Sequence, residues 1–249
     1  MKASDTDNNR PRPASNGMIE ICIPAFNEEG VIAEAVEAVR RVFRAEGKAA
    51  TIIVSDNGST DGTARAAEGI EGVKLIRISM RGKGAAVVAA SRASRADVFG
   101  FIDADLSADP AEIPKLLSAV ERGLCDIAIG SRLADGATVD RGAFNTLSSR
   151  LFNAARKVIL GIKEVQDTQC GLKLMNVRGR EILSECTETG WYFDIEFLAR
   201  AKHAGLRIRE IPISWNEFRF PGRKSKLNHF RDGLKTLPAF FRIWKNVRL

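Results

Sequence analysis

The sequence predicts one α/β domain built on a largely parallel sheet. Three observations predict it. Short apolar runs alternate with stretches of 3.6-residue periodicity from residue 18 to residue 130. The runs end in charged or glycine-rich tips, the place where ligands collect in sheets of this class. The 249 residues suffice for one full core and do not demand a second domain.

Taken in order, residues 1–17 are polar, contain Asn8-Asn9-Arg10-Pro11-Arg12-Pro13 and lack an apolar signal-peptide core, so a disordered tail is expected. Met18 to Pro24 is a short apolar strand stopping at proline, followed by a helix whose apolar positions are Ile32, Ala35, Val36, Val39 and Phe43, with Asn27 as a plausible N-cap. Thr51 to Ser55 is the second strand, ending in the turn-rich Asp56-Asn57-Gly58-Ser59-Thr60-Asp61-Gly62-Thr63 before another helix. Val73 to Ile78 is the third. It leads into Arg81-Gly82-Lys83-Gly84, a small basic loop at a helix start, which suits a phosphate or is an ordinary glycine turn. Residues 113–120 read as a helix and Cys125 to Gly130 as a further strand, leading into Ser131-Arg132.

The stretch Val98 to Asp105 organises the rest: an apolar run too short for a helix that ends in Asp103-Ala104-Asp105. Strand alternation would send both carboxylates to one side, with small Ala104 allowing close approach to the backbone. Two hard oxygen donors suit Mg²⁺ or Mn²⁺, whose remaining positions substrate phosphates would fill. The same residues also read as a capped strand-to-helix turn through Asp109-Pro110. Pro24 to Glu28, Asp56, Arg81 to Gly84, Asp103, Asp105 and Arg132 all fall at strand carboxyl ends, which favours the site. The P-loop spacing is absent, and no G-x-G-x-x-G follows the first strand, which disfavours a dinucleotide-binding domain.

With these residues in hand, the chain resembles the family 2 inverting glycosyltransferases of the GT-A fold. Ile23-Pro24-Ala25-Phe26-Asn27-Glu28-Glu29, Asp56 to Thr63, Arg81 to Ala86 and Asp103 to Ser107 stand in that family's order and spacing. Gly130-Ser131-Arg132, Asp167 to Lys173, Gly190-Trp191-Tyr192-Phe193-Asp194-Ile195-Glu196 and Ser225-Lys226-Leu227 look like the dolichyl- and polyprenyl-phosphate sugar synthases. The resemblance implies a GT-A domain over residues 18–226 and a nucleotide-sugar donor. Pro24, Phe26, Glu28 and Asp56 would hold the base and ribose, with Ala25, Lys83, Asp103 and Ala104 completing the nucleotide contacts. Asp103 and Asp105 would serve the Mg²⁺ or Mn²⁺. Two departures bear on the donor. Asn57 replaces the second acid of the usual Asp-Asp-Gly-Ser, and Ser107 stands where mannosyl-type members tend to carry Gln. The donor is UDP-glucose or GDP-mannose, with a lean to UDP-glucose.

If the acceptor is a lipid phosphate, its oxygen is already ionised near neutrality and needs cations rather than a base. Arg132, Arg150, Arg219, Arg223, Ser225 and Lys226 fit that task, Arg through paired hydrogen bonds and Lys as a point charge. A hydroxyl acceptor would instead need its proton removed, with Asp194 as the candidate base. Alternatively, Asp194 and Glu196 only begin a helix, and Asp167 is a weaker candidate. Asp105, Arg132, Asp194 and Lys226 are thus the candidate catalytic set.

Composition adds the rest. The net charge of +7 is concentrated after Ala199, where 13 Lys or Arg face 3 Asp or Glu. A nucleic-acid-binding protein is the remote alternative, disfavoured because no DNA- or RNA-binding motif is recognisable. No run approaches the roughly 20 apolar residues of a membrane span. In residues 227–249, Leu227, Phe230, Leu234, Leu237, Phe241 and Trp244 follow helical spacing beside Arg231, Lys235 and Arg242, a basic amphipathic helix suited to a membrane surface or to packing on the domain. The expected setting is cytoplasmic, peripheral to the membrane. Four widely spaced cysteines without C-x-x-C are expected to be free thiols.

Overall fold

The computed structural model describes residues 17–140, 162, 165–216 and 236–247. Its elements are β1 (Ile19–Ala25), α1 (Ile32–Ala45), β2 (Thr51–Asp56), α2 (Thr63–Glu68), β3 (Val73–Arg77), α3 (Lys83–Ala93), β4 (Val98–Phe101), α4 (Ile113–Glu121), β5 (Ile127–Ser131), β6 (Thr138–Asp140), β7 (Lys173–Asn176), α5 (Val177–Ser184), α6 (Phe193–His203), β8 (Ile208–Pro212), β9 (Ser214–Asn216) and α7 (Thr236–Val247). Seven strands form one sheet in the order β3-β2-β1-β4-β7-β5-β8, and β6 and β9 form a separate two-stranded ribbon. Helices cover the sheet, as expected for a GT-A domain.

The first half follows from pattern. Ile32, Ala35, Val36, Val39 and Phe43 are the buried face of α1, the five positions that its periodicity marks. β4 is buried along its whole length, with Phe99 and Phe101 at 0% exposure, so truncating either to Ala would cost about 3–5 kcal/mol. Gly100 lies where a Cβ would meet Leu174 Cγ at 2.8 Å, which lets β4 and β7 close on each other.

Three expectations are corrected, and one feature of the sheet, the direction of β7, is new. β1 does not stop at Pro24 but continues to Ala25, since β4 pairs with it only as far as Cys22 and leaves room for a residue without an N–H. Asn27 is not the cap of α1: it adopts φ 53°, and the helix begins at Ile32 after Val31. β4 ends at Phe101, so a turn closed by Leu106 N–H to Asp103 O (3.0 Å), and not strand alternation, sets Asp103 against Asp105. Leu106 takes φ 51° there, a costly left-handed conformation held by full burial. β7 runs antiparallel to both neighbours, inside an otherwise parallel sheet.

At the other end, α7 packs on the domain through Ala239, Phe240 and Ile243, Phe240 lying edge-on to Tyr192. Phe241 and Trp244, from the anticipated apolar stripe, are 66% and 36% exposed. Residues 227–235 of that stretch lie outside the described residues. No described helix is long and apolar enough to cross a membrane. All four cysteines are free and buried, as expected, and burial pushes the Cys170 thiol up to about 12.

Candidate active site

At the carboxyl ends of β1 and β2 two loops are stitched together. Asn27 N–H donates to Ser59 Oγ (2.9 Å), Glu28 N–H to Thr63 Oγ1 (2.7 Å) and Thr60 N–H to Asn27 Oδ1 (2.8 Å). Gly62 N–H donates to Glu29 Oε2 at 3.0 Å, and a Cβ on Gly62 would collide with that carboxylate. This rigid seam carries Pro24, Ala25, Phe26, Glu28 and Asp56, so the structure brings the expected base-binding residues together. Asp56 is buried and accepts Ser59 N–H (3.1 Å), while Arg81 stacks its guanidinium over Phe26 at 5.1 Å. Asn57, also buried, has an Oδ1 with no donor among the described residues.

Beside the seam, at the end of β4, Lys83 Nζ stands 2.6 Å from Asp103 Oδ1. Phe101, Trp191 and Phe193 surround that ammonium at 5.9, 5.5 and 5.9 Å. Burial works against its charge, but Asp103, Asp194 and Asp105 together hold the Lys83 pKa above that of a free lysine. Gly171 lies directly against Asp103, where a Cβ would sit 2.0 Å from Oδ2. Asp105 is partly exposed, with Oδ1 accepting Ser107 N–H at 3.0 Å, and Ala104 beneath it is buried. No cluster of three His, Cys, Asp or Glu able to hold a metal exists among the described residues. Among the described residues, Asp105 and Asp103 are oxygen donors that would suit a divalent ion whose remaining positions a diphosphate filled.

Two further ion pairs flank this centre. Lys173 Nζ donates to Asp194 Oδ1 (2.5 Å) and to Cys170 O (2.7 Å), and both side chains are sealed from solvent at 0% and 2% exposure. Arg132 grips Asp167 with Nε and Nη2 (2.7 and 2.6 Å) while its backbone N–H donates to the same carboxylate at 2.9 Å. Trp215 covers that guanidinium at 4.6 Å. Burial raises the Asp167 pKa, but the Arg132 hydrogen bonds outweigh it and hold the carboxyl below the usual range. Arg132 is therefore held in a fixed pose.

The ribbon of β6 and β9 closes the site from one side. Asn216 N–H donates to Ser107 O (2.8 Å) and Asp109 N–H to Ser214 O (3.1 Å), so the strand before the basic segment is pinned next to the Asp103–Asp105 turn. Arg150, Arg219, Arg223, Ser225 and Lys226 lie outside the described residues. Sequence reasoning quoted Gly171, Lys173 and Trp191 only within motif segments, giving none of them a role, and passed over Trp215. A lysine inside the apolar run Leu172-Lys173-Leu174-Met175 was the available signal for Lys173, since a buried ammonium demands a partner. The clash partner of Gly171 lies across two strands, where no local pattern shows it.

The family model described as "Glycosyl transferase family 2" matches residues 20–178. The dolichyl-phosphate beta-glucosyltransferase of Saccharomyces cerevisiae is 31% identical over 224 residues, covering 80% of this chain and 67% of the yeast protein. Glycosyltransferase AglD of Haloferax volcanii is 29% identical and covers 94% of this chain, which spans only 38% of that longer relative. Among solved structures, glucosyl-3-phosphoglycerate synthase from Mycobacterium tuberculosis in complex with uridine diphosphate superposes with a TM-score of 0.69 at 21% identity, over 95% of this chain and 86% of that one. The same enzyme with Mn²⁺ and UDP-glucose gives 0.69 at 20% identity, over 92% and 80%. At such identity the likeness speaks for the fold alone. The family match, spanning well over half of the chain, speaks for more: the protein is a glycosyltransferase of family 2.

Proposed function

We propose that the enzyme transfers a hexose, with inversion, from a nucleotide sugar to a polyprenyl phosphate at a membrane surface. The observation that carries this reading is the Lys173–Asp194 pair. A carboxylate engaged 2.5 Å from a lysine ammonium, both at 2% exposure or less, is sealed away from an acceptor hydroxyl, so the site favours an acceptor that arrives already ionised. The names of the dolichyl-phosphate relatives support the same acceptor.

The base and ribose rest on Pro24, Ala25, Phe26, Glu28 and Asp56. The diphosphate lies at Asp103, Ala104 and Asp105, with Lys83 fixing Asp103. Asp105 and Asp103 would hold a divalent ion, which when bound would supply Lewis-acid stabilisation of the charge on the departing diphosphate. Arg132 orients the acceptor phosphate, joined by Arg150, Arg219, Arg223, Ser225 and Lys226. Support for their reach comes from Asn216: Arg219 is three residues on, a span of at most about 11 Å. The acceptor oxygen forms a bond to the anomeric carbon as the bond from that carbon to the diphosphate breaks. The nucleoside diphosphate leaves with the electron pair. The exposed Phe241 and Trp244 of α7, beside basic residues, meet the membrane that holds the lipid. The lean to UDP-glucose rests on Ser107 and on the glucosyl relatives.

Incubating the chain with Mn²⁺, labelled UDP-glucose or GDP-mannose, and either polyprenyl phosphate or a sugar hydroxyl acceptor tests the reading. Expected is a labelled, acid-labile lipid made only with the phosphate acceptor. Label on a hydroxyl acceptor alone, with polyprenyl phosphate inert, would overturn it in favour of a hydroxyl-directed transferase with Asp194 as base.

A further inference from the structure

The three tryptophans of the chain are used differently. Trp215 spends a face on Arg132, and Trp244 lies on α7 against Phe241. Trp191 places its ring over Lys83 at 5.5 Å, and Lys83 reaches Asp103 at 2.6 Å, so the indole stands one ammonium away from the diphosphate site. It is nevertheless 40% exposed.

Its position is rigid. Glu196, fully buried, accepts Thr187 N–H at 2.9 Å and Glu188 N–H at 2.7 Å, and Thr189 O accepts Ala85 N–H at 3.0 Å. Gly82 and Gly84 press so closely on this loop that a Cβ on either would overlap Thr189 O (2.1 Å) or Glu188 O (2.5 Å). At Gly190, next in the chain to Trp191, a Cβ would meet nothing within 4 Å, so no packing crowds the backbone there. A large aromatic held stiffly and left part-uncovered at the edge of a site offers a flat apolar face at little entropic cost.

We infer that Trp191 is the platform for the transferred sugar, its ring stacking on the C–H face of the hexose. The inference rests on the sugar-nucleotide reading above. The hexose is the part of such a donor joined directly to the diphosphate on the side away from the nucleoside. It carries an apolar face that an indole matches and hydroxyls that the neighbouring acids accept from. The loop places no demand on the nucleoside, which the β1–β2 seam holds.

Calorimetric titration of the full chain in Mn²⁺ with UDP-glucose against UDP, and with GDP-mannose against GDP, separates the possibilities. Trp191→Ala is expected to weaken the preferred sugar nucleotide by about 5- to 10-fold and to leave the corresponding nucleoside diphosphate within about 2-fold, while Trp191→Phe recovers most of the loss. Equal weakening of diphosphate and sugar nucleotide would overturn the platform and make Trp191 a cover for Lys83. No weakening of either, with a loss confined to turnover of a long-chain acceptor, would also overturn it and assign the ring to lipid. If the wild-type chain binds none of the four ligands, the sugar-nucleotide reading itself fails, an outcome distinct from both.

Discussion

At the scale of single residues, charge placement governs the site. Lys173 and Asp194 are sealed together, and removing one partner strands the other as a bare buried charge. Lys173→Met alone is expected to cost about 3–5 kcal/mol, measured by urea unfolding, and the double change Lys173→Met with Asp194→Leu to recover most of it. Full loss in the double variant would show that the pair does more than balance its own charges. Asp105 differs in kind, since it is partly exposed and, among the described residues, its side chain accepts from Ser107 N–H at the turn. Asp105→Ala should therefore leave the thermal midpoint nearly unchanged without ligand and abolish the Mn²⁺-dependent rise produced by a nucleoside diphosphate. A preserved rise would remove Asp105 from the metal's shell.

At the scale of elements, closeness to glycine explains how distant segments meet. Gly84 opens α3 with no room for a side chain, because Glu188 O and Phe193 Cβ would lie 2.5 and 2.6 Å from its Cβ. Gly84→Ala should lower the melting temperature and loosen nucleotide binding together, whereas Gly190→Ala, with open space around it, should leave the melting temperature within a degree or two. Acid should probe the second half. Burial raises the pKa of Asp126, but hydrogen bonds from Arg207 and Asn176 hold it below the ordinary carboxylate value, as Arg132 does for Asp167. The folded carboxyls thus release protons more readily than the unfolded ones. Their stabilisation is complete above the unfolded pKa of about 4 and is lost as pH falls through the folded values. Urea midpoints should fall steeply below that pH, and Asp126→Asn should flatten the slope. The β1–β4 half was legible because its strands and helices alternate with clean periods and its loops carry their own turn residues. The reversal of β7 was not, since parallel and antiparallel strands share one apolar pattern and only the path of the chain between them decides. Equally, the Lys173 partner lies 21 residues away on α6, beyond any helical or strand period.

At the scale of the whole molecule, α7 joins packing to surface. Phe240 is fully buried against Tyr192, and Arg242 holds Glu188 through Nη2 to Oε2 at 2.8 Å, tying the helix to the loop that bears Trp191. Phe240→Ala should destabilise the fold by about 3–5 kcal/mol. Phe241→Ser, 66% exposed, should leave stability unchanged yet reduce sedimentation with anionic liposomes. Liposome binding untouched by Phe241→Ser would place the membrane contact elsewhere. The strand order carries a consequence of a different sort, for the making of the protein. β1, β2, β3 and β4 are neighbours in sequence and, taken together, in space, so a growing chain can assemble this half of the sheet once residues 19–101 are made. The other half waits for β8, because Ile127 of β5 pairs with Ile208 and Asp126 accepts from Arg207. Until β7 arrives, β4 presents an unpaired apolar edge, and closing so long a loop is slow. On the proposed assignment of the sites, the nascent enzyme passes through an interval in which donor binding is possible, catalysis is not, and β4 is open to mispairing with other chains.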